Sequence, residues 1–364
     1  TMAINRAGLA AGEGGSVYVP PGTFNVGDSG TALDASTSST AGVTDKCVVI
    51  NLDKQRWHGE GTITDTDGTS NNVLIDVADS TDRVVRAQVS GNEIEDYTVY
   101  AISAGTISSA ICTECMIHNN TTAVTGTNTG TVLLRTVRSI VSNNFFETNN
   151  GTNVHIDDSV DLVFQGNSLN RLSGLASDSN NIKISDCKRV SISGNSIVTL
   201  TEAWTDTLDE IQINSSAVEF GGISIVGNTI WTKQVQVYFE DSALQTVISN
   251  NIMYGMRNEA NAAHAAIFVK QDQVPLYGSI CGNIIHGYDK HTSDNPAIDL
   301  GLAQNFVISC NQIKEYYTGL KTLSSGGASP HANHFFGNNL KNSSDTIADG
   351  VSVATEVTGL NEPA

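Results

Sequence analysis

Three pairs of neighbouring carboxylates stand out among the residues able to do chemistry: Asp157-Asp158, Asp209-Glu210 and Glu240-Asp241. Two acids facing one glycosidic bond are enough to hydrolyse it. One protonates the leaving oxygen and the other activates water or attacks the sugar; a separation of about 5 Å gives retention and about 6.5–9.5 Å inversion. We take Glu240, Asp241, Asp209, Glu210, Asp157 and Asp158 as candidate catalytic residues, with Asp186 and Asp206 close to them in the scheme below. Trp204 and Tyr238 offer aromatic surface to the apolar face of a sugar, and His155, Lys183 and Arg257 offer charge and hydrogen bonds, so these five are candidates for substrate binding. The Glu240/Asp241 and Asp209/Glu210 region ranks first, because Trp204, Tyr238 and the segment 253–265 converge on it; Asp157/Asp158 ranks second. The competing explanation for any one of them is a solvated turn acid, the ordinary state of Asp and Glu.

Proton abstraction beside a uronic carboxylate needs other groups, a base and a cation that neutralises the carboxylate. His155 with Lys183, or Tyr238 with Arg257 and His264, fit by type, although exposed His and Lys on a sheet face are commonly structural. Metal chemistry finds little support. Cys112-x-x-Cys115 is one thiol pair with no second pair and no His cluster, whereas structural zinc takes about four ligands. The six cysteines are expected to be small buried hydrophobes, and synthesis to occur in a reducing compartment. The Gly-rich nonapeptide that binds calcium in some repeat proteins is absent. No cofactor and no metal are expected.

The elements that position these residues announce themselves through an Asn that returns about every 27 residues. Gly91-Asn92-Glu93-Ile94, Gly166-Asn167-Ser168-Leu169, Gly194-Asn195-Ser196-Ile197, Gly227-Asn228-Thr229-Ile230, Gly282-Asn283-Ile284-Ile285, Cys310-Asn311-Gln312-Ile313 and Gly337-Asn338-Asn339-Leu340 show the frame. Asn143 and Asn250 are placed in the same slot, followed two residues on by Phe145 and Ile252; Cys115 fills it once, ahead of Ile117. An alternating strand precedes each Gly-Asn, and a second type of strand begins each coil, as in Val154–Ile156, Ile211–Ile213 and Val237–Phe239. The outward positions of that second strand form two columns. One reads His155, Lys183, Gln212, Tyr238, Phe268, Asp299, and the next Asp157, Ser185, Asn214, Glu240, Lys270, Gly301. Insertions at 170–181, 198–210, 253–265 and 286–296 all leave one corner beside these columns and would wall an axial groove.

With 364 residues, 39% hydrophobic and 16% charged, the chain can bury a large core. Its net charge of −19 argues against a nucleic-acid partner and makes an acidic polymer a poorer ligand unless a local basic patch intervenes. No apolar run approaches the roughly 18 residues of a membrane helix, so no membrane insertion is expected. No secretory signal precedes the first elements, and Thr1 begins abruptly, as in a piece of something longer. Residues 2–11 are expected to form a short capping helix, followed by a strand, a Pro-Pro-Gly turn and a further strand in Gly14-Gly15-Ser16-Val17-Tyr18-Val19-Pro20-Pro21-Gly22-Thr23-Phe24.

That opening segment and the Gly-Asn-x-Ile ladder from 92 to 340 together resemble the right-handed parallel β-helices of the pectate-lyase-like superfamily. The abrupt start, the missing secretion signal and the long irregular coils are most similar to bacteriophage tailspikes. The resemblance implies an all-β fold, a right-handed single-stranded parallel β-helix with a short N-terminal capping helix. The expected divisions are a cap with its first strands over 1–46, the helix over 47–340 and a C-terminal cap or tail over 341–364. It further implies a parallel homotrimer, made in the host cytoplasm and carried on the phage tail. Its ligand would be a bacterial surface polysaccharide (O-antigen, capsule or exopolysaccharide), hydrolysed as by an endo-glycosidase. A lyase on the same scaffold and a non-catalytic glycan-binding fibre or adhesin are the alternatives. The head-binding domain usual in that family has no counterpart in this sequence.

Overall fold

The computed structural model describes residues 7, 10–25, 45–50, 54–64, 72–77, 84–97, 99–105, 112–124, 130–148, 151–172, 180–199, 209–214, 221–232, 235–241, 243–255, 265–270, 276–287, 296–316, 318–322, 333–341, 345–349, 357–358 and 362–363. They fall into two compact units, Thr1–Ile182 and Lys183–Ala364. Most of the segment expected to form a capping helix lies outside them; of its residues, 7, 10 and 11 are described and are helical.

Each unit is a stack of coils, and each coil contributes one strand to each of three parallel sheets, here called faces A, B and C. In the first unit face A carries Arg56–Gly59, Gln88–Ser90, Met116–His118 and Ile140–Ser142, face B carries Thr62–Thr64, Glu93–Glu95, Thr121–Ala123 and Phe145–Thr148, and face C carries Asn72–Val77, Tyr100–Ala104, Gly130–Leu134 and Thr152–Asp157. The second unit repeats the pattern. Its face A includes Ser224–Val226, Val247–Ser249, Leu276–Cys281 and Gln304–Ser309; face B includes Thr229–Trp231, Ile252–Tyr254, Ile284–His286 and Gln312–Lys314; face C includes Asp209–Asn214, Val235–Phe239, Ile267–Val269, Pro296–Asp299 and Thr318–Thr322.

The alternation read from the sequence sets which side of each strand is buried. In the first unit Val89, Ile117 and Val141 align in register on face A and point into the core. In the second, Ile230, Met253, Ile285 and Ile313 do the same on face B.

The Asn repeat forms a buried side-chain ladder. In the first unit Asn92 Nδ2 donates to Asn120 Oδ1 at 3.0 Å, Asn120 to Asn144 at 3.0 Å and Asn144 to Asn167 at 2.9 Å. In the second unit Asn195, Asn228, Asn251, Asn283, Asn311 and Asn338 form such a row, each Nδ2 donating to the Oδ1 of the next, at 2.9 to 3.0 Å. Each Oδ1 between the ends also accepts the backbone N–H of the preceding Asn, as Asn251 does from Asn228 at 2.9 Å.

The ladder corrects the expected frame at three coils. Its members there are Asn120, Asn144 and Asn251, in place of Cys115, Asn143 and Asn250. Asn143 and Asn250 sit one residue earlier, with φ of 57° and 55°, where other coils have Gly91, Gly166 or Gly282. A left-handed turn costs Gly least and Asn little, so a doubled Asn hides which of the two turns the chain and which joins the ladder. With the frame corrected, the buried residues two positions on are Phe146 and Met253, and Thr122 makes one of them polar.

The cysteines also depart from expectation. Cys112 and Cys115 are joined as a disulfide, both buried; Cys187 is a buried free thiol, while Cys310 is exposed.

Candidate functional site on face C

Face C of the second unit gathers the first-ranked candidates. The register pairs Gln212 with Tyr238, Tyr238 with Phe268, Phe268 with Asp299 and Asp299 with Lys321, so that part of the outward column is real. Tyr238 and Phe268 stack with ring centroids 5.6 Å apart and planes 8° from parallel. One strand position further on, Glu240 and Lys270 leave their strands, each donating its backbone N–H to the preceding coil, at Ile213 O and Phe239 O. Lys270 Nζ lies 2.6 Å from Glu240 Oε1, and both side chains remain partly open to solvent. Asp241 follows at the same turn, half-buried. The result is a carboxylate held by an ammonium beside a pair of stacked rings: a group able to act as base or nucleophile next to apolar surface suited to a pyranose.

Other candidates fall elsewhere. Glu210 is fully buried, and its Oε1 accepts hydrogen bonds from Thr199 Oγ1 at 2.7 Å and Thr232 Oγ1 at 2.6 Å. It is therefore an internal acid bracing two face B strands and does not reach a groove. Asp209 is buried as well. Both open the strand Asp209–Asn214; they do not end a loop. Asp299 keeps its outward register but is buried, its Oδ2 3.2 Å from Lys321 Nζ and its Oδ1 accepting from Gly301 N–H at 3.0 Å. Lys183 lies half-buried on Ile182–Ser185, the strand that straddles the division of the chain. Trp204, Asp206, Arg257 and His264, with most of the wall segments, lie outside the described residues.

On face C of the first unit, Asp157 Oδ2 accepts from Arg135 Nε at 2.7 Å and from Nη2 at 2.5 Å. Such a charge-assisted pairing fixes both groups. His155 lies two residues before Asp157, half-exposed and in register with Leu133. Asp158 takes the left-handed turn after the strand, with φ of 47°. Arg135 and Lys321 were not singled out from sequence. Arg135 directly follows the strand Gly130–Leu134, whose interior Thr131-Val132-Leu133-Leu134 is buried throughout and shows no alternation to mark an outward column. Among the described residues no group of three or more His, Cys, Asp or Glu side chains could hold a metal ion.

No protein-family profile and no curated protein sequence matches the chain. Solved structures do. The A-module of mannuronan C-5 epimerase AlgE4 of Azotobacter vinelandii superposes with a TM-score of 0.70, covering 98% of this chain and 94% of its own at 14% identity. The corresponding AlgE6 A-module gives 0.60, with 100% and 93% coverage at 15% identity. The tailspike protein of E. coli bacteriophage HK620, in complex with a pentasaccharide, gives 0.57, with 98% and 73% coverage at 11% identity. The fold is the right-handed parallel β-helix. At such identities the likeness extends to the fold and to no individual residue.

Proposed function

We propose that this β-helix binds and processes polysaccharide along face C, and that it is a tailspike-like endo-glycosidase acting on a bacterial surface polysaccharide. The observation that carries the reading is the Glu240–Lys270 pair at 2.6 Å beside the Tyr238–Phe268 stack. Glu240 is the first choice for the reacting carboxylate and Asp241, at the same turn, for its partner. Lys270 holds the Glu240 carboxylate in one orientation, as preorganised catalysis requires, and the aromatic pair seats a sugar ring. Two of the structures that share the fold are, by name, a mannuronan C-5 epimerase and a tailspike in complex with a pentasaccharide, so the scaffold suits long glycans. A parallel homotrimer on a phage tail, meeting its polysaccharide at the bacterial surface, belongs to the same proposal. The test is incubation with capsule or O-antigen. Hydrolysis produces new reducing ends without an unsaturated uronate, and a Glu240→Gln protein that keeps full activity removes this site from consideration.

A second reading, uronate lyase chemistry, draws on His155. The imidazole stands half-exposed beside the Arg135–Asp157 pair, which combines a base with a fixed positive charge. Ultraviolet absorbance from an unsaturated product, abolished by His155→Gln and retained in Glu240→Gln, would select this reading.

A further inference from the structure

A different groove, of about 380 Å³, opens on face A of the first unit, lined by Lys54, Arg56, Arg86, Gln88, Glu114 and Met116. Its construction follows from the coil. Lys54, Arg86, Glu114 and Arg138 occupy one corner on successive rungs, with φ of 60°, 62°, 55° and 54°. Their backbone N–H groups bond from rung to rung, Lys54 to Val85 O, Arg86 to Thr113 O, Glu114 to Val137 O and Arg138 to Val160 O. These four make the wall. The floor is the outward column of face A, where Arg56 pairs in register with Gln88 and Gln88 with Met116.

The charges along this wall are arranged unevenly. Lys54 bonds Glu13 at 3.0 Å on one side, while Arg86 and Arg138 converge on Glu114 at 2.7 and 3.1 Å on the other. Glu114 lines the groove on the rung beyond Arg86, and Glu13 bonds Lys54 on its other side, so the step from Lys54 to Arg86, adjacent rungs about 4.8 Å apart, holds no acid among the described residues. Arg56 rises from the floor next to that gap and has no ion pair among the described residues. Three cations thus meet in one groove of a chain that has 19 Lys and Arg in all and a net charge of −19. Exposed Met116 supplies apolar floor, and the arginine stems add to it.

The geometry points to a second glycan-binding surface in this groove, specific for a carboxylate-bearing polysaccharide: a uronate carboxylate sits between Lys54, Arg56 and Arg86 and its ring lies against Met116. Guanidinium groups match a carboxylate through two parallel hydrogen bonds, which a hydroxyl cannot replace. The site belongs to the first unit and Glu240 to the second, and the assignment does not depend on the reaction proposed for face C. It also supplies the local basic patch by which so acidic a protein can hold an acidic polymer.

Calorimetric titration of the full chain, carrying Glu240→Gln so that turnover does not contribute heat, with a short oligogalacturonate and with the same oligosaccharide after reduction of its carboxyl groups, tests the assignment. Binding of the acidic form, about tenfold weaker for Arg56→Met and for Lys54→Met and steeply weakened by salt, is the expected result. Methionine keeps the apolar stem, and unchanged thermal midpoints of both variants show that they fold. Equal affinity for the reduced oligosaccharide overturns the carboxylate requirement, and unchanged affinity in both variants places the acidic glycan elsewhere. Neither outcome bears on hydrolysis, which is measured separately with unmutated Glu240.

Discussion

Lys270 Nζ approaches Glu240 Oε1 to 2.6 Å from the next coil, so this carboxylate is oriented by a residue thirty positions away in sequence. If Glu240 performs the proton transfer or attack, Glu240→Gln lowers kcat by at least about 100-fold. Lys270→Met lowers kcat less and leaves KM nearly unchanged, because it disorients the acid without touching the sugar. Phe268→Ala shows the opposite split, a raised KM with kcat largely preserved. Steady-state kinetics on depolymerised substrate separate the three.

Adjacent asparagines behave differently. Asn251→Ala strips an acceptor from both the backbone and side-chain N–H of Asn228 and a donor from Ile225 O. Orphaned buried groups cost about 1–3 kcal/mol each, so with three of them a total loss of at least about 3 kcal/mol is expected in denaturant unfolding. Asn250→Gly, one residue earlier at φ of 55°, changes stability by less than about 1 kcal/mol, since Gly takes that conformation freely.

Gly278 faces the buried ring of Phe306 across the face A register. A Cβ there would lie 2.2 Å from Phe306 Cε1. Gly278→Ala is expected to cost about 1–3 kcal/mol as overpacking, and adding Phe306→Leu to recover part of it. A double-mutant cycle measures the coupling.

Glu95 titrates above its ordinary 4.5, chiefly through burial and then through Glu93 and Asp96. The folded state therefore binds the proton more tightly than the unfolded state. Stability is unaffected below the unfolded value and declines as pH rises through the raised folded value. Glu95→Gln should match the parent below pH 4.5 and exceed it slightly at neutral pH, as thermal midpoints at the two pH values would show.

Much of this was written locally. Alternation at Ile223-Ser224-Ile225 and the turn chemistry of Gly227-Asn228 fix strand, corner and inward face from a few neighbouring residues, and the aligned column Gln212, Tyr238, Phe268 follows by measuring from each corner. Doubled asparagines defeat the measurement because both candidates satisfy the same local rule, and only the partner on the next coil chooses between them. Glu210 shows the same limit. Its position beside an insertion suggests a solvated acid, yet Thr199 and Thr232, brought in from two other strands, bury and satisfy it. The groove at Lys54, Arg56 and Arg86 was invisible for a related reason: its residues belong to separate coils, and their charges acquire meaning only when stacked.

The asparagine ladder has a direction. Every amide in it presents its oxygen toward the lower-numbered coil and its N–H toward the higher, so the small dipoles add like a row of magnets laid head to tail. At the lower end of the first unit's row, Asn92 Oδ1 is buried and has no hydrogen-bond partner among the described residues. It is the open end of a polar wire. An acceptor held ready in this way marks where the row began, and it stops there for a steric reason: the matching slot on the preceding coil is Gly61, where a Cβ would lie 2.4 Å from Pro20 O, so the row has no space for another side chain at that end.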